Sequence, residues 1–416
     1  MRKSVAVTAG PQRSPGRASI PAQLRRFSGD TRLADALLKR INRMVEAAQV
    51  HAPSPGFKLM EVCGTHTMAI SASGLRRAID PRLRLISGPG CPVCVTAQPD
   101  IDLAIELAKQ PGVIITTFGD MMRVPGSHSS LEQESARGAD VRIVYSPLDA
   151  VKLAQANPGH TVVFLGVGFE TTIPTVAAAV KIARSGQTGN FLVLPLFKTM
   201  PQALRVIAEA PRLRIDGFIM PGHVSTIIGS RPYEFLVREF HRPCCVVGFE
   251  VLDLLQGIIM LLEQLVMTND ECRMSNAGPE SSRLAPQSSI ANRKSSLPVM
   301  IQYRRSVTPA GNRTAQSLIA EVFSADDAVW RGLGMIPGSG LKFTRDYAAF
   351  DARRRFKVEA GPARKIKGCR CGDILLGAMV PTECRLFAKT CTPENPFGPC
   401  MVSSEGACAA HYKYER

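Results

Sequence analysis

Residues 57–94 read FKLMEVCGTHTMAISASGLRRAIDPRLRLISGPGCPVC. Two short apolar runs, residues 57–62 and 83–87, flank a segment long enough for a helix, and a cysteine motif follows each run. A strand, a helix and a second strand of this kind predict a βαβ unit with parallel strands. Both cysteine motifs then lie at the carboxyl edge of one sheet, which is where open parallel sheets bind ligands.

The same pattern continues along the chain. Six further apolar runs predict strands: VIITT from Val113, VRIVY from Val141, TVVFL from Thr161, FLVL from Phe191, GFIM from Gly217 and CCVV from Cys244. We expect an α/β fold with two doubly wound parallel-sheet domains of about four strands each, over residues 57–150 and 151–267. Two short motifs occur twice, PGH from Pro158 and Pro221 and GFE from Gly168 and Gly248, which either a duplication or chance explains.

The remaining segments have different compositions. Residues 1–30 predict a disordered basic extension, residues 31–50 a helix, and residues 268–300 a polar linker or loop. Residues 301–416 predict an irregular iron–sulfur domain, packed with the helix at 31–50, because six of the twelve cysteines follow Gly368. No run is long enough for a secretion signal or a membrane span, so we expect a cytoplasmic protein with no membrane partner.

The charge balance is strongly basic. Lys and Arg number 51 against 35 Asp and Glu, a formal net charge of +16. The basic residues are scattered and few aromatic residues accompany them, so we expect no nucleic-acid partner. Twelve cysteines in a large chain that is not exported favour metal ligands or redox thiols over structural disulfides.

The first cysteine motif is EVCGTHT, from Glu61. Cys63 follows the predicted strand and precedes a helix, with His66 three residues later. A helix N-terminus and a nearby histidine lower a thiol pKa, so we expect a thiolate that binds metal. A buried structural cysteine with a capping histidine is the alternative.

The second motif is GPGCPVC, with a helix expected to open at Pro92. Cys91 and Cys94 form a Cys-x-x-Cys pair at a helix N-terminus, a setting that closes and opens a disulfide readily. We favour redox chemistry over zinc, because zinc normally needs a second pair.

Two more segments carry polar groups after strands. The loop TFGDMMRVPGS predicts Asp120, Arg123 and Ser127 at the same sheet edge, with an ordinary salt-bridged loop as the alternative. Glu170, in the segment GFETT, is our candidate for proton transfer or for support of a metal ligand.

The tail contains six cysteines: Cys369, Cys371, Cys384, Cys391, Cys400 and Cys408. Four would hold a cubane [4Fe–4S] cluster and two would remain for a disulfide. Structural zinc is the alternative, although no His-x₃-His or paired Cys-x-x-Cys pattern supports it. We interpret Cys244, Cys245 and Cys272 as incidental.

Taken together, these motifs closely resemble the HypD family of [NiFe]-hydrogenase maturation factors. The resemblance rests on MEVCGTHT, GPGCPVC, TFGDMMRVPGS, GFETT, PGHVSTIIG, the WRGLG-x-IP-x-SGL segment from Trp330 and the spaced cysteines of the tail. It covers the chain from about Ala34, apart from residues 272–298, which are longer than the pattern needs.

The resemblance implies a scaffold on which an iron with two cyanides and one carbon monoxide, Fe(CN)2CO, is assembled. It implies a HypC-type chaperone as partner, cyanide delivered by HypE with HypF upstream, and indirect service to the hydrogenase large subunit. Cys63 would hold the iron beside His66, and Cys91 and Cys94 would be the thiol–disulfide pair. The [4Fe–4S] ligands would be Cys369, Cys384, Cys391 and Cys408, which leaves Cys371 and Cys400 as a redox disulfide.

Whether any step is enzymatic turnover stays open. A free-standing iron–sulfur thiol-disulfide oxidoreductase is the main alternative and predicts a dependence on Cys91 and Cys94 but not on Cys63. A zinc-stabilised binding module is the third reading.

Overall fold

The computed structural model describes residue 24 and residues 29–51, 56–210, 213–276, 298–361 and 367–416, with backbone only at 49–51 and 267–276. The strands are β1 Phe57–Glu61, β2 Leu83–Ser87, β3 Val113–Thr117, β4 Asp140–Ile143, β5 Thr161–Gly166, β6 Phe191–Pro195, β7 Gly217–Pro221, β8 Cys244–Val247, β9 Met300–Ile301, β10 Phe323–Trp330 and β11 Gly334–Phe343. All eight predicted strands are present.

Helices connect the strands. In chain order they are α1 Thr31–His51, α2 Gly64–Ser73, α3 Leu75–Ala78, α4 Pro92–Val95, α5 Gln98–Ala108, α6 Leu131–Ala136, α7 Pro147–Ala156, α8 Ile173–Ser185, α9 Met200–Glu209, α10 Gly222–Ile228, α11 Glu234–Arg238, α12 Val251–Asn276, α13 Arg313–Val322, α14 Ala352–Arg355, α15 Cys371–Leu375, α16 Pro399–Val402 and α17 Ala407–Tyr414. Short 3₁₀ helices lie at Gly119–Arg123, Arg231–Tyr233, Arg345–Phe350 and Pro381–Glu383. None of the helices in these described ranges is long and apolar enough to cross a membrane.

The strands form two parallel sheets, which confirms the predicted α/β class. The first sheet has the order β2-β1-β7-β8-β9 and the second has the order β4-β3-β5-β6. The antiparallel hairpin β10–β11 stands apart from both. The central strand β5 of the second sheet, with its buried run of Val and Leu, is covered on both faces, as is usual for parallel strands, whereas the edge strand β4 is partly exposed.

The grouping of strands differs from the predicted division at residues 147–158. The second sheet is inserted between β2 and β7, and the chain then returns to pair β7 with the free edge of β1. Apolar periodicity identifies each strand but carries no information about its neighbour, so sequence order was a poor guide to sheet membership.

Among the described residues, helix α1 packs on helix α12, whereas the prediction placed it against the tail. Its buried stripe, which includes Leu38, Ile41 and Val45, belongs to an apolar cluster that it shares with α12, where Ile258 and Leu262 are members. The apolar face of α1 is therefore covered by another helix of the α/β part of the chain.

Helix α12 continues to Asn276, past the predicted start of the linker, because no glycine or proline lies between Gly257 and Gly278. Residues 277–297 and most of residues 1–28 lie outside the described residues, and the predictions made for them stay predictions.

The largest apolar cluster joins both sheets to the tail. It contains Met60 and Ile86 of the first sheet, Leu165 of the second, and Ile374 and Met401 of the tail. The cysteine-rich tail is therefore packed onto the sheets, and its position depends on their core.

Candidate metal centre

Cys63 occupies the turn between β1 and α2, as its position in the sequence predicts. It is the N-cap residue of α2, and its side chain makes no capping hydrogen bond. The residue is 8% exposed and is not a member of the three apolar clusters that the described residues form. The thiol is thus largely shielded from water without being packed into hydrocarbon.

The prediction that Cys63 is a thiolate is wrong when no metal is bound to it. Burial raises the pKa of Cys63 to about 11, and the nearby charge of Glu405 adds to the rise. Desolvation disfavours the charged form more strongly than the helix N-terminus favours it. A bound cation would supply the missing stabilisation, since a coordinating thiol is deprotonated.

His66, in the first turn of α2, is fully buried. Its Nε2 donates to the carbonyl oxygens of Gly248 at 2.9 Å and Val247 at 3.2 Å. Two acceptors fix the proton on Nε2, and the buried Nδ1 has no hydrogen-bond partner among the described residues. Burial lowers the pKa of His66 to about 4, so the ring is neutral.

Residues that follow β7 and β8 complete this part of the edge. The ring of Phe249 lies 4.9 Å from that of His66 and stacks on His223 with ring centroids 3.9 Å apart. His160, in the other copy of the PGH motif, lies before β5 at the opposite end of its strand. The two PGH motifs therefore do not occupy equivalent positions, whereas both GFE segments follow strands.

Cys91 and Cys94 form a disulfide, with their Cα atoms 5.2 Å apart. The pair opens α4, where Pro92 occupies the first turn and the Cys94 N–H donates to Cys91 Sγ at 3.2 Å. The two cysteine turns touch, because the Gly64 N–H donates to the Gly90 carbonyl at 2.9 Å. A Cβ atom at Gly90 would lie only 2.2 Å from the Cys63 nitrogen, so this approach needs glycine.

The tail thiols line a narrow cavity of about 10 Å³. Five of them line it: Cys369, Cys371, Cys384, Cys391 and Cys408. Cys400 is fully buried and shares a side-chain hydrogen bond with Cys371. In the described ranges, no three His, Cys, Asp or Glu side chains converge as the ligands of a single ion do. Each thiolate of a cubane binds a different iron, so sulfurs spread around a cavity fit a cluster.

The tail also closes over Cys63. Thr65 Oγ1 donates to Glu405 Oε1 at 2.8 Å, and a Cβ atom at Gly64 would lie 2.4 Å from the Cβ of Glu405. Cys94 Sγ lies 3.9 Å from the carbonyl oxygen of Pro399, the residue before Cys400. The sheet edge, the disulfide and the tail thiols are thus parts of one site.

The loop after β3 contacts the tail. Asp120 accepts a hydrogen bond from Ser403 at 2.8 Å, and Arg123 donates to the carbonyl oxygen of Pro393. Ser127 instead bonds to Asp102, with 2.6 Å between the Ser127 hydroxyl and Asp102 Oδ2. Two of the three residues therefore hold the loops that flank the tail cysteines, and the third fixes its own turn.

Glu170, which follows β5, carries a buried carboxyl group. Its Oε1 accepts from the Met200 N–H at 2.9 Å, and Oε2 has no partner within the described residues. Burial raises the pKa of Glu170 to about 7. Burial raises the pKa of Tyr233 as well, and the charges of Glu170 and Cys63 both add to that rise.

Glu405 is a site residue that the sequence analysis missed. It lies in the segment SSEG between Cys400 and Cys408. A lone carboxylate within a cysteine-rich tail was the available signal, but only the docking of the tail on α2 brings it to Cys63.

Comparison with known proteins gives consistent matches over nearly the whole chain. A family model described as "HypD: Hydrogenase formation hypA family" matches residues 32–283 and 287–415. The hydrogenase maturation factor HypD of Escherichia coli K12 is 44% identical over 394 residues, which cover 94% of this chain and 98% of that protein. The HypD proteins of Cupriavidus necator and Rhodobacter capsulatus are 44% and 43% identical and cover 89% and 92% of this chain, or 93% and 96% of their own length.

Proposed function

This chain belongs to the HypD family, and from that membership we propose that it is a hydrogenase maturation protein on which Fe(CN)2CO is assembled. The observation that carries the proposal is the joining of three thiol groups at one sheet edge. Cys63, the Cys91–Cys94 disulfide and the tail cysteines come from distant parts of the chain, and contacts at Gly90, Glu405 and Pro399 join the segments that carry them.

Cys63 is the residue that would hold the iron of the assembled group. Soft thiolate ligands suit low-spin iron(II), and Cys63 lies outside the apolar clusters that the described residues form. The negative charge of Glu405 acts on the thiol, and a bound cation would offset that charge. A thiolate from a HypC-type chaperone would be a second ligand to the iron, and HypE would deliver the cyanide groups.

His66 supports this position as a neutral imidazole. Two carbonyl groups accept the proton of Nε2. The unprotonated Nδ1 can therefore only accept a hydrogen bond or coordinate a metal. A proton on His66 would place a buried positive charge beside Gly248 and Val247, which the low pKa opposes.

The tail cysteines are the residues that would hold a [4Fe–4S] cluster. The family resemblance gives Cys369, Cys384, Cys391 and Cys408 as the ligands, and all four line the cavity, as Cys371 does. The proposed pair is Cys371 and Cys400, which share a hydrogen bond, and Cys371 also bonds to Cys369 at 3.3 Å. When bound, the cluster supplies single electrons to a thiol–disulfide couple. The contact between Cys94 and Pro399 places the Cys91–Cys94 disulfide next to that pair.

Glu170 is our proposed group for proton transfer. A pKa near 7 lets a carboxyl exchange protons at neutral pH, and burial alone accounts for it. Tyr233 is fully buried and is the neighbour that Glu170 shares with Cys63.

The test is anaerobic purification of the chain together with a HypC-type chaperone, followed by infrared spectroscopy and iron analysis. We expect bands from metal-bound cyanide and carbon monoxide in the wild type, and loss of those bands with retained tail iron in Cys63→Ala. Cys245→Ala is the matched control, since it removes another buried thiol, from β8. A wild-type complex that lacks the bands when HypE and HypF are present would overturn the proposal.

The disulfide supports a second candidate, a free-standing thiol oxidoreductase. Reduction of a generic protein disulfide would then depend on Cys91 and Cys94 and remain unchanged in Cys63→Ala. The same set of variants separates the two functions.

A further inference from the structure

Arg331 places a guanidinium group inside the protein with one nitrogen unsatisfied. The residue follows β10, in the turn of the β10–β11 hairpin. Its Nη2 is buried and has no hydrogen-bond partner among the described residues. A buried donor without an acceptor is costly, and for a charged group more so, which calls for an acceptor at this position.

One side of Arg331 is fastened to the segment that follows the Cys91–Cys94 disulfide. Its backbone N–H donates to the Val95 carbonyl at 2.8 Å, and its Nε donates to the Thr96 carbonyl at 3.0 Å. The preceding Trp330 is 1% exposed and donates from Nε1 to Ser339 at 2.8 Å. The guanidinium is therefore held in a defined position by a rigid turn.

The turn that carries Arg331 also packs on the tail. Gly332, at φ +87°, packs so tightly on Gly372 that a Cβ atom would lie 2.5 Å from its Cα. Gly372 is the neighbour of Cys371, so the hairpin turn lies directly on the segment that carries Cys369 and Cys371.

The charge of Arg331 acts on Cys369 and Cys400, so the guanidinium group is within electrostatic range of two of the tail thiols.

We propose that Arg331 is a positioning residue that turns its buried guanidinium towards the sulfur atoms of the tail site and thereby raises the reduction potential of the cluster held there. The inference rests on the proposed function, because it requires that cluster. Thiolate and sulfide sulfurs are the acceptors that Nη2 lacks. One-electron reduction adds a negative charge, and a fixed positive charge in a poorly solvated position stabilises the reduced form.

The experiment is a redox titration of the anaerobically purified, cluster-containing chain with dithionite, followed by visible absorbance and electron paramagnetic resonance. In Arg331→Gln we expect the reduced-to-oxidised ratio at a fixed potential to fall about tenfold, a shift of about 59 mV for a one-electron couple. A purely structural role for Arg331 would change stability or iron content without moving the potential.

Arg370→Gln is the matched control. Arg370 is also next to a tail cysteine, but it is exposed and paired with Asp373, so solvent and the carboxylate screen its charge. We expect a shift below threefold. Equal shifts in Arg331→Gln and Arg370→Gln would overturn the inference.

Arg331→Lys extends the test to a variant that keeps the charge. We expect a change below threefold, and a tenfold change would overturn the charge account, even if Arg331→Gln fails to retain iron. A wild-type protein without iron and sulfide would overturn the cluster assignment and this inference together. If the wild type contains the cluster but its reduction potential does not change on substitution of Arg331, only this inference is overturned.

Discussion

At the scale of single residues, burial decides the protonation of Cys63 and His66. Both follow β1, and both are shielded from water, which disfavours the charged form of each. The result is a neutral thiol and a neutral imidazole. A site in this state is ready to exchange the thiol proton for a metal.

The first prediction concerns alkylation of Cys63 in the metal-free protein. Because the pKa of Cys63 is about 11, we expect its rate of reaction with iodoacetamide to rise about tenfold per pH unit between pH 8 and 10. Glu405→Gln removes a charge that raises this pKa, so the rate at a fixed pH should increase. Mass spectrometry of the Cys63 peptide measures both effects.

Glu383→Gln is the control for that experiment, because Glu383 is an exposed tail glutamate that bonds to Val380. It should leave the rate unchanged. An alkylation rate that levels off near pH 8, or that is unchanged in Glu405→Gln, would contradict a raised pKa for Cys63.

The second prediction concerns stability at acid pH. The pKa of His66 is lowered from 6.5 to about 4, so its neutral form contributes stability that is complete above pH 6.5 and is lost as the pH falls through 4. The linked change is about 3 kcal/mol in the free energy of unfolding. In His66→Gln, urea unfolding measured from pH 7 to 4 should show a correspondingly shallower decline.

His160→Asn provides the comparison, since His160 is exposed before β5. The wild-type pH dependence should persist in that variant. Identical profiles for wild type and His66→Gln would show that the ring does not stay neutral in the fold.

At the scale of elements, two strand-to-helix turns create the site. The turn from β1 to α2 carries Cys63, and the turn from β2 to α4 carries the disulfide. β1 and β2 are parallel neighbours, with Glu61 opposite Ser87, so the turns leave the sheet side by side. Contact between them needs a residue without a side chain at position 90.

The third prediction follows from that contact. Gly90→Ala would place a methyl group 2.2 Å from the Cys63 backbone nitrogen, where no flexible side chain can move away. We expect a loss of about 1–3 kcal/mol in the free energy of unfolding. Urea denaturation gives the stability, and the alkylation rate of Cys63 should change as its surroundings shift.

Gly159→Ala is the matched substitution, because a Cβ atom at Gly159 meets nothing within 4 Å. Its effect should stay within about 0.5 kcal/mol. Equal effects of the two substitutions would mean that the turns are not in tight contact.

At the scale of the whole molecule, the tail is attached to the first sheet through buried polar contacts. Arg76 bridges Glu61 of β1, at 2.9 Å, and Glu415, just after α17, at 2.6 Å. Glu61 is fully buried, so the bridge joins the C-terminal end of the chain to the centre of the sheet. In the described residues 367–416, the helices are short, with three, four, five and eight residues.

The fourth prediction concerns removal of iron. Helices this short are not stable in isolation. We therefore expect anaerobic chelation of iron to remove amide protection over residues 369–408, while residues 113–117 and 161–166 stay protected. Hydrogen exchange with mass spectrometry measures the pattern. Cys408→Ser should show the same local loss without chelator, and Cys245→Ser should not.

Unchanged protection of the tail after chelation would argue against a folding role for the metal. Loss spread evenly over both sheets would argue against a locally attached tail.

Local pattern in the sequence was sufficient for the strands and for the order of the motifs. Short β-branched runs such as VIITT and TVVFL predict buried parallel strands, and Cys63 and Cys91 follow two other strands of this kind. Both properties depend on residues that are close together in the chain. The α/β class, the turn positions of the cysteines and the family were therefore available from the sequence.

Only the tertiary structure decided which strands share a sheet, where the tail lies and how the thiols are protonated. The insertion of β3–β6 between β2 and β7, the approach of Glu405 to Gly64 and the position of Arg331 between Thr96 and the tail all join distant residues. The raised pKa of Cys63 has the same origin, because burial is a property of the assembled chain. Spacing along the sequence does not encode these long-range contacts, which form when the apolar faces of both sheets and the tail pack into one core.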